Sequence, residues 1–274
     1  MATTKPSNAP WADEPFKLIE IPALKIKNDH YAIEAASEMA NAHNVLIRGL
    51  NAIIQQGPHI SSTSTSSSSS YSSKDVKDFL AYVHIWIETV HHHHSVEETF
   101  LFPEIEKVSG GKKGMMDEAK GQHEGFQKGL KELDEYALRK REEGVEGGEY
   151  KWEGEGGMKR IVDGFSKDLV EHLYEEIEVF LGLRVLLDSE EFRRTGERAQ
   201  EVAKSSGNIG LLYTLVPMVL GTADRTYPGS ADFPPFGWFM PYLVNYWFGV
   251  GNGAWRFHPC DFWGRPRPLA FVGK

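Results

Sequence analysis

The chain has 274 residues, with 30 Lys plus Arg against 39 Asp plus Glu and a net charge of −9. That length suffices for a substantial core in one or two domains, and the acidic balance, with no basic cluster to neutralise phosphates, excludes nucleic acid as a partner. A single cysteine, Cys260, excludes an internal disulfide framework and a cysteine-rich zinc site, which fits a reducing compartment.

Residues 1–27 carry four prolines and little periodicity, and read as a tail or strap over the surface. The first ten residues have no apolar core of the kind a secretory signal needs. The longest apolar stretch, Ile209 to Leu220, falls short of the roughly 20 residues that span a bilayer, so the chain reads as cytoplasmic. From Asn28 to Gln56 the apolar residues Ile33, Ala36, Met39, Ala40, Leu46, Ile47, Leu50, Ile53 and Ile54 follow helical spacing, with His43 inside the stripe and Asn28 or Asp29 as the cap. Gly57-Pro58 ends this helix. Residues 61–73, almost all serine, form a low-complexity loop with no material for a core.

A second helix is predicted from Lys74 to Val108. Its inner face carries Phe79, Val83, Trp86, Ile87, Val90, His93, His94, Glu97 and Leu101, with a kink at Pro103 and an end at Gly110-Gly111. A third runs from Met115 to Arg141 with His123, Phe126, Leu130 and Leu133 on one stripe, and passes into a solvated Glu/Gly-rich loop, 142–157. A fourth, Met158 to Leu187, turns Ile161, Phe165, Leu169, His172, Glu176, Val179, Phe180 and Leu183 inward. Residues 28–187 therefore read as four amphipathic helices, and 188–274 as an extension packing on them. The extension has a polar helix at 190–206, a short apolar one containing Pro217, and twelve aromatic residues between Phe233 and Trp263. Aromatics supply large buried area, which suits a cap across a bundle.

The chemistry concentrates in residues 91–103, His-His-His-His-Ser-Val-Glu-Glu-Thr-Phe-Leu-Phe-Pro. On a helix, i and i+4 lie one above the other, so His93 with Glu97, or His94 with Glu98, can aim at one point. Each residue advances about 100°, so at most two of the four histidines share the buried side. An inward histidine in each of four helices, with two glutamates, is costly to bury unless a cation pairs the charge.

These residues resemble the hemerythrin-like, or HHE cation-binding, domain family, whose second helix carries His-His-x-x-Glu-Glu-x-x-Leu-Phe-Pro. Here that motif is His93-His94-Ser95-Val96-Glu97-Glu98-Thr99-Phe100-Leu101-Phe102-Pro103, joined by His43, by His123 with Phe126, and by His172-Leu173-Tyr174-Glu175-Glu176. The resemblance implies an all-α, up-down four-helix bundle holding two non-haem iron ions bridged by carboxylates. The metal ligands it implies are His43, His93, Glu97, His123, His172 and Glu176, and manganese or zinc suits the same mixed imidazole and carboxylate donors. The chain departs from the oxygen-carrying members at Ala119, four residues before His123 where they have a histidine, and at Glu176, which replaces an aspartate one position further on. His94 and His59 are the candidate replacements, as extra ligands or as residues that hydrogen-bond the ligands. A ferritin-like template, which wants Glu-x-x-His from two helices, finds it only at Glu88 to His91.

The function implied is binding of, or reaction with, oxygen, nitric oxide or peroxide, or the sensing of iron and oxygen. The alternatives are a redox-inactive metal-binding or storage module, and a metal-stabilised scaffold whose aromatic extension meets a protein partner. No substrate channel or general acid is legible, so no enzymatic activity is assigned.

Overall fold

The computed structural model describes residues 14–60, 71–111, 114–147, 150–205 and 209–272. The serine loop falls mainly on 61–70 and half of the N-terminal tail on 1–13, outside the described residues.

Regular structure among the described residues is helical: α1 (Tyr31–Gln56), α2 (Ser73–Val96), α3 (Phe102–Val108), α4 (Asp117–Gly147), α5 (Met158–Asp163), α6 (Ser166–Gly182), α7 (Ser189–Ser205), α8 (Leu215–Thr222) and α9 (Met240–Leu243). The four long helices α1, α2, α4 and α6 pack in a ring, α1 on α2, α2 on α4, α4 on α6 and α6 on α1. Their apolar stripes form one core, including Ile33, Leu50, Phe79, Trp86, Phe126, Leu130, Phe165, Leu169 and Phe180. At Gly49 the α1 backbone meets the Trp86 ring so closely that a Cβ there would sit 2.3 Å from it, which holds α1 against α2.

Each start and stop has a local cause. Ser72 and Asp75 close a reciprocal capping box on α2. The cap of α1 is His30 rather than Asn28 or Asp29. Its Nε2 donates to the Leu187 carbonyl at 3.0 Å, which leaves Nδ1 to accept from the Ala32 amide at 3.0 Å. Past α3, Gly110 and Gly111 take φ of 80° and 74°, where a side chain would be strained.

The predicted second helix is unbroken along the chain but not uniform in winding. Residues Glu97–Leu101 form a π-helical turn in which the Phe102 amide reaches back to the Glu97 carbonyl, and α3 follows with Pro103 in its first turn. A widened turn there accommodates a residue with no N–H to donate. The predicted fourth helix is broken at Gly164-Phe165 into α5 and α6, because Phe165 (φ −135°) swings its ring over Trp86 and against Gly129. The predicted Glu/Gly-rich loop is also corrected: α4 continues through Gly147, and Tyr150 and Trp152 are buried. Tyr150 Oη donates to the Gly57 carbonyl at 3.0 Å, and the Trp152 ring lies on Gly57, so two aromatics pin the segment to the end of α1.

Residues 16–23 lie antiparallel to α1 as a strap held by side chains spaced seven apart. Asn51 pairs with both backbone groups of Phe16, Asn44 with both of Ile19, and Ser37 accepts from the Ala23 amide. The C-terminal segment covers α1 and α2. Phe257 packs on Phe79 and Tyr82, Gln56 donates to its carbonyl, and Arg256 spans Asp75 and Asp78 at 2.6 Å each. No helix of the described residues is long and apolar enough to cross a membrane.

Candidate metal centre

Histidines and glutamates from all four bundle helices converge on one interior spot. His43 comes from α1, His93 and His94 from the last turn of α2, Glu97 from the start of the π turn, His123 from α4, and His172 with Glu176 from α6. They form two groups whose donor atoms lie within 4.8 Å of one another: His43, His93, Glu97 and Glu176 in one, and His94, His123 and His172 in the other. His94 is buried and fills out the second group. His91 is exposed, as the 100° rotation requires. His59 is not brought in: it is exposed in the turn beyond the end of α1, itself about 20 Å along the helix axis from His43.

The carboxylates sit between the groups. Glu97 Oε1 is 3.0 Å from His93 Nε2, and its Oε2 is 3.8 Å from His123 Nε2. Glu176 Oε2 is 3.2 Å from His43 Nε2 and 3.9 Å from His172 Nε2. None of the four carboxylate oxygens meets a donor in hydrogen-bonding geometry, and neither does His94 Nε2. Orphaned buried carboxylates cost several kcal/mol unless a charge compensates them, on the order of the penalty for an unpaired buried ion.

Hydrogen bonds on the far side of the rings set the tautomers. A backbone carbonyl only accepts, so His43 Nδ1 donates to Leu173 at 2.7 Å. His123 Nδ1 donates to Glu98 Oε1 at 2.5 Å, and His172 Nδ1 donates to Gln122 Oε1 at 2.8 Å. Each of these three rings then points an Nε2 lone pair inward. Two of them, His123 and His172, face each other at 3.0 Å, and His43 Nε2 faces His93 Nε2 at the same distance. The His123 and His172 lone pairs, so close, repel unless a cation lies between them. Two nitrogens bound at about 2.1 Å and at right angles lie about 3.0 Å apart, so the separations fit metal ligation.

Burial shapes the protonation states. It drives His43 and His94 well below the usual histidine range, helped by the neighbouring imidazole of His93, and takes His172 down to about 2. Burial, reinforced by Glu176, raises Glu97 well above the carboxylate range, and burial pushes Glu176 up to about 7. His43, His94 and His172 are thus neutral donors at neutral pH, the state a metal ligand requires. Phe126 lies against His94, His123 and His172 and Phe102 against His123, giving the cluster an apolar wall.

The sequence paired Glu98 with His94 rather than His123 and did not single out Gln122 or Glu175. Glu98, Gln122 and Glu175, which accepts from Gln122 Nε2 at 2.6 Å, each stand beside a predicted ligand in sequence. Adjacency on a helix means a 100° offset, so only the interhelical geometry reveals their targets.

The family model of the Hemerythrin HHE cation binding domain matches residues 34–183. The chain is 30% identical over 277 positions to the Dimeric xanthone biosynthesis cluster protein R11 of Cryptosporiopsis sp. (strain 8999), covering 99% of this chain and 97% of that one. No solved structure matches.

Proposed function

The chain belongs to the hemerythrin HHE cation-binding family, and from that premise we propose that it holds two non-haem iron ions and binds, or reacts with, oxygen, nitric oxide or peroxide. His43 and His93 would hold one ion and His94, His123 and His172 the other, with the Glu97 and Glu176 carboxylates available to both. The observation that carries this reading is the pair of buried carboxylates with unpartnered oxygens set between two histidine groups. When bound, a redox-active ion pair supplies open coordination positions and electrons to a small ligand.

The protein's own part is positioning. Leu173, Glu98 and Gln122 hold three imidazoles in the tautomer whose Nε2 faces inward. Phe126 and Phe102 exclude water from the three-histidine side. The other group offers one histidine fewer, and its His93 side chain is 18% exposed while the other proposed ligands are nearly sealed. A small exogenous ligand therefore has both access and room beside His43 and His93. The name of the relative R11, carried over as part of this proposal, sets such chemistry beside the biosynthesis of dimeric xanthones.

The test is to load the protein with ferrous iron without oxygen, then add oxygen, nitric oxide or peroxide while recording near-ultraviolet and visible absorption, with zinc-loaded protein as control. The proposal expects new bands and ligand uptake in the iron form alone. Equal silence in both forms would favour a redox-inactive metal module.

A further inference from the structure

The segment after α8 presents aromatics to solvent instead of burying them. Residues 240–248 wind through α9 and a second π-helical turn, Val244–Phe248. Pro241 and Val244 face inward, and Phe248 packs edge-on against Tyr213. The opposite side carries Phe239, Tyr242, Leu243, Tyr246 and Trp247 at helical spacing, with Trp238 before it and Val250 after it. Trp238 is 83% exposed, Tyr246 71%, Trp247 69% and Val250 65%. At about 200 Å² per side chain the aromatic rings alone offer on the order of 600 Å², at the upper end of the apolar patches that ordinary monomers expose.

Charge and shape say what the ridge meets. From Phe233 to Trp255 no residue carries a formal charge, in a chain that is 25% charged. A charge-steered protein partner wants a complementary charge within the patch, and an anionic bilayer wants lysines and arginines there; the ridge's own residues, 238–250, offer neither. A second copy would need a groove shaped to receive rings that stand off the surface. A fluid lipid boundary conforms to a ridge. Tyrosine and tryptophan suit that boundary because each has an apolar body and a hydrogen-bonding tip. We propose that Trp238, Phe239, Tyr242, Leu243, Tyr246, Trp247 and Val250 form a peripheral docking ridge for an uncharged, zwitterionic phospholipid surface, in which the rings sit at headgroup depth and nothing crosses the bilayer.

The experiment is flotation of the full-length, metal-loaded protein with phosphatidylcholine vesicles at low and at high salt. It is paired with quenching of tryptophan emission by vesicles brominated on the acyl chain. The ridge predicts flotation and quenching that change less than twofold with salt, and at least tenfold weaker flotation of W238S/W247S with unchanged circular dichroism and metal content. A second variant, Y246K/V250K, keeps both tryptophans and should lose flotation and quenching together, should the first fail to fold. Absence of flotation by the wild type, or flotation that survives both variants, overturns the proposal. So does a wild-type dimer in sedimentation velocity that both variants dissociate without any vesicle binding, which would assign the ridge to a second copy.

Discussion

At the scale of single residues, the centre depends on which way each imidazole is turned. Glu98 accepts from His123 Nδ1 and Gln122 from His172 Nδ1, so both act through the ring beyond them. Outer partners of metal-bound histidines typically contribute 10–100-fold in affinity. Glu98→Ala is therefore expected to weaken metal binding by about that factor in competition with a chelator, while leaving the helical circular dichroism intact. His94→Ala removes a donor from the three-histidine group and is expected to lower metal content, whereas His59→Ala, outside the cluster, should leave it unchanged. Equal metal content in these two variants would remove His94 from the proposed set. The sequence made the residues at i and i+4 readable, because helical geometry alone stacks His93 over Glu97 and His172 over Glu176. It left His94 undecided between ligand and bystander, since its neighbours His123 and His172 come from other helices.

At the scale of elements, the four long helices were legible because their apolar stripes are long and regular. The strap on α1 was half legible: four prolines marked residues 1–27 as non-helical, but not what holds them. Asn44 and Asn51 are polar residues within a helix whose remaining face is buried, and their partners are backbone groups that no periodicity reports. Asn44 pairs with both the N–H and the C=O of Ile19. Asn44→Ala orphans both and is expected to destabilise the fold by roughly 2–4 kcal/mol in urea unfolding. The break at Gly164-Phe165 was illegible for a related reason, since it answers to Trp86 and Gly129 on other helices. Between α2 and α4, His84 Nδ1 meets Asp134 Oδ1 at 2.6 Å, and this hydrogen bond raises the His84 pKa above the ordinary histidine value. A folded-state pKa above the unfolded one stabilises fully below about 6.5 and fades as pH rises through the folded value. Asp134→Asn should accordingly cost more stability at pH 6 than at pH 9. The reverse order would show that the pair does not act through its charge.

At the scale of the whole molecule, the two halves of the chain differ in how far composition exposes them. The bundle announces itself because burial of apolar stripes and burial of ligands use the same faces of the same helices. The last third was legible only as a covering layer, which is where Phe257, Gln56 and Arg256 tie it to α1 and α2; its outward aromatics follow helical spacing, but Pro241 and Val244 on the inner side are apolar too, so the pattern does not say which side meets solvent. A centre built from every bundle helix couples metal binding to folding. A metal at a hundred times its dissociation constant adds about 2.7 kcal/mol to the folded state, so a chelator is expected to lower the melting temperature of the loaded protein and spare a variant that lacks the centre. The most direct measurement is metal content per chain, on protein purified without added metal, for the wild type and for H93A/E97A. The account predicts about two irons per wild-type chain and their loss from the variant with the helical signal retained. Equal metal in both proteins, or none in the wild type on iron reconstitution, would contradict it.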